Sequence, residues 1–154
     1  PFNFFYIDLI RQALPNAKIV CLLRNPMDTC VGNFRQLFSI HSPYYAYAYD
    51  LEVIGQLYQS FEQWVRKFAD TYPNATRLQS YEQLAQNPQA EVKDLLAFCN
   101  LPWEAQCLQV ENNTLPVSTA SKVQVREPIN TRSIGRWKRY ELQTEALQKS
   151  LGII

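Results

Sequence analysis

The stretch KIVCLLRNPMDTCVGNF, residues 18–34, decides how the rest of the chain reads. A short continuous apolar run through residue 23 includes Ile19 and Val20 and stops at Arg24, followed by Asn25-Pro26. Such a run fits a strand buried on both faces, as in a parallel sheet. A helix from about Met27 to Ser39 follows it. In open parallel sheets, ligands sit beyond the carboxyl ends of strands. A helix starting there aims backbone N–H groups and a positive dipole end at the same spot. Arg24 adds a planar fork of donors suited to phosphate or sulfate. Taken alone, the stretch favours the plainer reading, an exposed arginine at a strand end, paired with Asp28.

Outward from this junction, helical and strand signals alternate early and helices dominate later, which points to an α/β class with a parallel sheet. Residues 4–14 carry Phe5, Ile7 or Leu9, Ile10 and Leu14 at helical spacing, and PNA at 15–17 breaks the segment. The aromatic stretch HSPYYAYAYD, 41–50, precedes a long helix over 51–71. Its apolar stripe includes Ile54, Tyr58, Trp64, Val65 and Phe68, all assigned to the core, and Asp50 is its N-cap. RLQSY at 77–81 reads as a second short strand. NPQAEVKDLLAFC, 87–99, reads as a helix capped by Asn87 and started by Pro88. Residues 109–132 are irregular, and a last helix is expected over about 139–150.

The 154 residues are 47% hydrophobic, enough for one globular domain with a real core. Fifteen Lys/Arg against fourteen Asp/Glu leave a net charge of +1, so any anion site must be local rather than a polyanion-binding face. RWKRYE, 136–141, is too short and isolated for a nucleic-acid patch. No run of about 18 apolar residues marks a membrane span. With Asp8 in its apolar part and no basic leader, the start does not read as a signal peptide, and without an initiator Met the chain is expected to begin inside a longer parent. Cys21, Cys30, Cys99 and Cys107 lack C-x-x-C spacing, and the single His41 lies near no cysteine in sequence. Free, mostly buried thiols, a reducing cytoplasmic setting and no metal are expected.

Four segments, in order and spacing over nearly all of the chain, resemble sulfotransferases that use 3′-phosphoadenosine 5′-phosphosulfate (PAPS). LLRNPMDTC, 22–30, is similar to their second phosphate-binding segment, in which a strand ends in Arg and an Asp follows four residues later. YAYDLEVIGQLYQSFEQW, 47–64, resembles the aromatic region and long helix of the bacterial branch with tetratricopeptide extensions. SYEQLAQNPQAEVKDLLAFCNLPWE, 80–104, resembles the Tyr-Glu-Asp-Leu segment, its Pro-started helix and the Leu-Pro-Trp beyond. STASKVQVREPINTRSIGRWKRYE, 118–141, resembles the cofactor-closing segment of that branch and of tyrosylprotein sulfotransferases.

The resemblance implies a P-loop-like, three-layer parallel sheet with flanking helices. It implies that Arg24 binds the 3′-phosphate, Tyr81 contacts the adenine edge, and residues 121–130 wrap the nucleotide through Ser121, Gln124, Arg126 and Asn130. Arg136, before Trp137, adds a cation at the phosphates. Gly32 departs from the pattern: the family usually has a phosphate-binding Ser there, so weaker phosphate affinity is expected. A further basic residue is often found about a turn later, near Arg35. The Pro-Arg-Ser-Gly-Thr-like phosphosulfate loop and the first strand are missing, and none of Gly32, Gly55, Gly135 and Gly152 lies in such a loop. The chain then reads as the C-terminal part of one sulfotransferase domain, carrying nucleotide contacts without the transfer machinery. A hydroxyl-bearing acceptor is implied, the catalytic base is unassigned, and an exposed sheet edge would favour association.

Two rival readings stand beside it: a non-catalytic nucleotide- or protein-binding module that keeps the fold, and a kinase-like nucleotide-binding α/β domain. His41 reads as a loop or helix-end residue. The tyrosines of 44–49 either line an acceptor pocket or form a packed loop, and Trp137 either stacks on adenine or, as favoured, anchors the last helix.

Overall fold

The computed structural model describes residues 2–36, 38–39, 41–113 and 127–154. They form two compact units, one of residues 1–79 with 133–154 and one of residues 80–132. Ser121, Gln124 and Arg126 lie outside the described residues.

The first unit opens with a 3-10 turn, Phe2–Tyr6, that runs into α1, Ile7–Ala13. Phe4 and Ile7 are buried, a three-residue step that puts both on the core side where the turn runs into the helix. Strand β1, Ile19–Leu23, and strand β2, Thr76–Ser80, form a small two-stranded parallel sheet. Parallel neighbours need a crossover, and α2, Pro26–Phe34, and α3, Leu51–Thr71, occupy it. Cys21 is buried against Val65 and Phe68 of α3, with Ile19 and Leu23 packed beside it. Val20 and Leu22, which point the other way, are 39% and 51% exposed. The expectation of a strand buried on both faces is therefore met on one face only.

Helix α2 begins at Pro26, one residue before the expected Met27. The Asn25 side chain accepts from the Asp28 N–H at 3.1 Å, and Pro26 fills a first-turn position whose N–H needs no partner. It ends at Phe34 rather than Ser39. Gly32 and Asn33 are poor helix formers, and beyond them Gln36 N–H bonds to Asn33 O and Phe38 N–H to Gln36 O, replacing the helical ladder.

Helix α3 is capped as expected, with Asp50 Oδ1 accepting from Glu52 N–H at 2.8 Å and Val53 N–H at 3.1 Å. Ile54 and Tyr58 meet Met27, Cys30 and Val31 of α2 and Leu147 near the C-terminus in one core cluster. Trp64, assigned to the core by its spacing, is instead 41% exposed at the border of the stripe. There its ring stacks on Phe68 with centroids 5.6 Å apart, and the Lys67 ammonium lies 5.5 Å from it.

The C-terminal segment is not the single helix expected over 139–150. Arg136–Thr144 forms 3-10 turns with a kink at Tyr140, and α6 covers only Glu145–Ser150. Trp137 and Tyr140 both pack on the core cluster, and three residues per turn places them on one side. Trp137 thus anchors this segment by packing.

In the second unit, α4, Tyr81–Gln86, is capped by Ser80 Oγ, which accepts from Gln83 N–H at 3.2 Å. Helix α5, Pro88–Phe98, starts at Pro88 as expected; Asn87 holds the cap position but makes no side-chain capping bond. Asn100 ends it at φ 58°, a left-handed conformation that asparagine tolerates, with Leu101 N–H bonded to Leu96 O at 2.9 Å. Among the described residues, no helix is long and apolar enough to cross a membrane.

Candidate functional site

Arg24 is the first residue beyond β1, and Asn25 caps the helix that follows, so strand end, guanidinium and helix N-terminus share one point of the chain. Two distant segments hold the arginine. The Tyr58 hydroxyl of α3 donates to the Arg24 carbonyl at 2.7 Å. The Arg24 guanidinium donates through Nη2 to the Ser133 carbonyl, and the same nitrogen lies 3.8 Å from Asp28 Oδ2. The side chain is 26% exposed, so it borders solvent without lying free in it.

Asp28 stands at the third position of α2 and is 3% exposed. A carboxylate so deeply buried needs partners on both oxygens. Oδ2 accepts from Gly135 N–H at 2.6 Å and Oδ1 from Trp137 N–H at 2.9 Å. Its charge also lies in the first turn of a helix, where the dipole favours an anion. Gly135 has φ 71°, a left-handed conformation that glycine adopts without a Cβ penalty, and the 3-10 turns start directly after it. Arg136, partly buried, sits between the two amides that Asp28 binds.

The structure therefore brings Arg24 and the segment carrying Arg136 together within one compact unit. Gly32 lies on the exposed side of α2, and among the described residues no atom beyond its chain neighbours and the helix backbone comes within 4 Å of where a Cβ would stand. Tyr81, the partly buried first residue of α4, and Asn130 belong to the other unit. Asn130 is committed locally: its Oδ1 accepts from the backbone N–H and Nε of Arg132 at 3.2 and 3.1 Å. Arg35 stacks over Tyr140, its guanidinium carbon 5.2 Å from the ring centroid.

Two residues of the junction carry more than their sequence showed. Asp28 was legible as a partner of Arg24, because the two stand four positions apart at the strand–helix junction, but nothing local pointed to residues 135–137. Tyr58 was legible only as one member of an apolar stripe. In the aromatic stretch, Pro43–Tyr49 forms 3-10 turns: Phe38 stacks on Tyr45 at 4.3 Å, Tyr49 donates to Phe38 O at 2.7 Å, and Tyr44 is exposed. Burial first, and then electrostatic interaction with the neighbouring Tyr45, push the Tyr47 hydroxyl pKa up. Cys21 and Cys30 are buried free thiols, both pushed up by burial, Cys30 to about 12, so neither is a ready nucleophile.

A family model described as "Sulfotransferase family" matches residues 1–105, which include the β1–α2 junction, the crossover and helices α4 and α5. The chain belongs to the sulfotransferase family. The family chain is also 36% identical over 141 residues to a protein of Aquifex aeolicus (strain VF5) that bears the name "Uncharacterized protein". That similarity covers 92% of this sulfotransferase-family chain and 18% of the Aquifex protein, so the chain spans under a fifth of that relative's length.

Proposed function

We propose that the chain is the C-terminal part of a PAPS-dependent sulfotransferase domain, of the bacterial tetratricopeptide-associated and tyrosylprotein sulfotransferase-like branch. The complete P-loop-like domain would transfer a sulfuryl group in line from PAPS to a hydroxyl acceptor, with positioned cations stabilising charge on the bridging oxygen. The observation that carries this reading is the junction itself: Arg24, the start of α2 and residues 133–137 meet at one place. A guanidinium beside a helix N-terminus suits a phosphate.

In this reading Arg24 holds the 3′-phosphate and Arg136 adds a second cation. Tyr81 contacts adenine, and Ser121, Gln124, Arg126 and Asn130 close over the nucleotide. The missing phosphosulfate loop and catalytic base would come from the rest of the protein, so the chain alone would be inactive. The acceptor is a peptide, glycan or small molecule. The free cysteines suit a reducing, cytoplasmic setting.

One observation favours a second reading, a nucleotide-binding module without transfer activity: Gly32 offers no hydroxyl where the family usually has one. Sulfate transfer from labelled PAPS by the full-length protein separates the two. For the first reading, Arg24→Ala is expected to weaken binding of adenosine 3′,5′-bisphosphate by about 1.5–3 kcal/mol, the scale of a hydrogen bond to a charged group. ATP serves as the control in calorimetric titration of the full-length protein. An unchanged dissociation constant for the bisphosphate removes Arg24 from the site, and preferential binding of ATP would instead place the protein among kinase-like nucleotide binders.

A further inference from the structure

Asp28 uses one carboxylate to hold three things: the backbone amides of Gly135 and Trp137 and, at 3.8 Å, the Arg24 guanidinium. The two amides flank Arg136, and the carbonyl that engages Arg24 belongs to Ser133, two residues before Gly135. These contacts form a closed loop of interactions. Arg24 and Asp28 stand four positions apart on either side of the Asn25 cap, with Nη2 3.8 Å from Oδ2; Asp28 fixes residues 135–137, and Ser133 returns to Arg24. The loop joins positions 107 and 109 residues apart in sequence, so α2 alone cannot supply it.

We propose that Asp28 is a positioning residue for the anion site: it sets the register of residues 133–137 against α2, and thereby the placement of both Arg24 and Arg136. The proposal rests on the reading of Arg24 and Arg136 as phosphate ligands and goes beyond it by assigning the group that holds them in place. The chemistry requires a carboxylate. Two N–H donors converge on separate oxygens, and an amide in the same place would turn an NH2 group toward one of them. A lone buried N–H would then lose its acceptor, and the segment would slip relative to Arg24.

The test is Asp28→Asn in the full-length protein, with calorimetric titration of adenosine 3′,5′-bisphosphate and amide hydrogen exchange at Gly135 and Trp137. Asp28→Asn is expected to weaken bisphosphate binding about tenfold and to speed exchange at one or both amides. In an Arg24→Ala background the same change should cost less affinity, because the share of its effect that runs through Arg24 is already lost and only the share through Arg136 remains. A purely structural role would lower affinity equally in both backgrounds, and that outcome overturns the proposal. So does unchanged bisphosphate affinity in Asp28→Asn alongside an Arg24→Ala variant that binds weakly, which leaves the phosphate reading intact. If Arg24→Ala binds normally, the phosphate reading falls and the positioning role falls with it. Should Asp28→Asn fail to fold, exchange in the unmodified protein still decides: both amides must be strongly protected without nucleotide, and exchange at open-chain rates refutes the clasp.

Discussion

Gly55 lies inside α3, where an alanine ordinarily stabilises a helix by about 1 kcal/mol. At this position the sign is expected to reverse. A Cβ on residue 55 would stand 2.4 Å from Ser150 Oγ, 2.9 Å from Ser150 Cβ and 3.2 Å from Leu147 Cδ1. Rotating the Ser150 side chain would move Oγ but leave Cβ too close, and it would break the bond that Oγ donates to Glu52 O at 2.9 Å. Leu147 is fully buried and has nowhere to retreat. α6 must therefore move away from α3. Overpacking costs about 1–3 kcal/mol and the lost hydrogen bond about 1 kcal/mol, so after the helix gain Gly55→Ala should destabilise this contact by about 1–3 kcal/mol. Native-state hydrogen exchange reads the contact locally, for instance at the Leu151 amide, which bonds to Leu147 O at 2.9 Å. Protection there should fall by roughly 5- to 150-fold. Adding Ser150→Gly removes both clashing atoms and should return part of the loss. Greater protection in Gly55→Ala alone would refute the close approach of the two helices.

Gly32→Ser places a hydroxyl in open space on α2. It should raise helix stability by about 0.5 kcal/mol and tighten bisphosphate binding, both measurable on one variant by denaturation and titration; weaker binding with an intact fold would contradict the assignment of this position. Cys30, pushed up to about 12 by burial, should resist alkylation at pH 8 in the folded protein, while exposed Cys107 reacts readily, as peptide mass spectrometry after brief iodoacetamide treatment can show. Because the folded pKa is raised above its ordinary 9.0, the neutral thiol's contribution to stability is complete below about pH 9 and is lost as pH rises toward about 12. Unfolding that loses no stability between those values, or steepens equally in Cys30→Ala, would contradict burial of this thiol.

Much of the molecule was legible from local spacing. The apolar run ending at Arg24, the helix that follows it and the Asp50-capped stripe of α3 depend on residues a few positions apart, and so does the Pro88 start of α5. Capping and periodicity act at that range, so a linear pattern records them. The same patterns misjudged Val20, Leu22 and Trp64, because periodicity says which residues share a face but not whether another element covers it. They also overran α2, where backbone bonds such as Gln36 N–H to Asn33 O replace the helical ladder, and merged residues 139–144 with α6, where the backbone kinks at Tyr140. The candidate site divides along the same line. The arginine at the strand end could be read directly. Its hold on Ser133, the Asp28 clasp on Gly135 and Trp137, and the Tyr58 hydroxyl on the Arg24 carbonyl arise only when segments 34 to 109 residues apart are brought together. Hydrogen bonds at such separation leave no periodic trace in a chain, so folding alone reveals them.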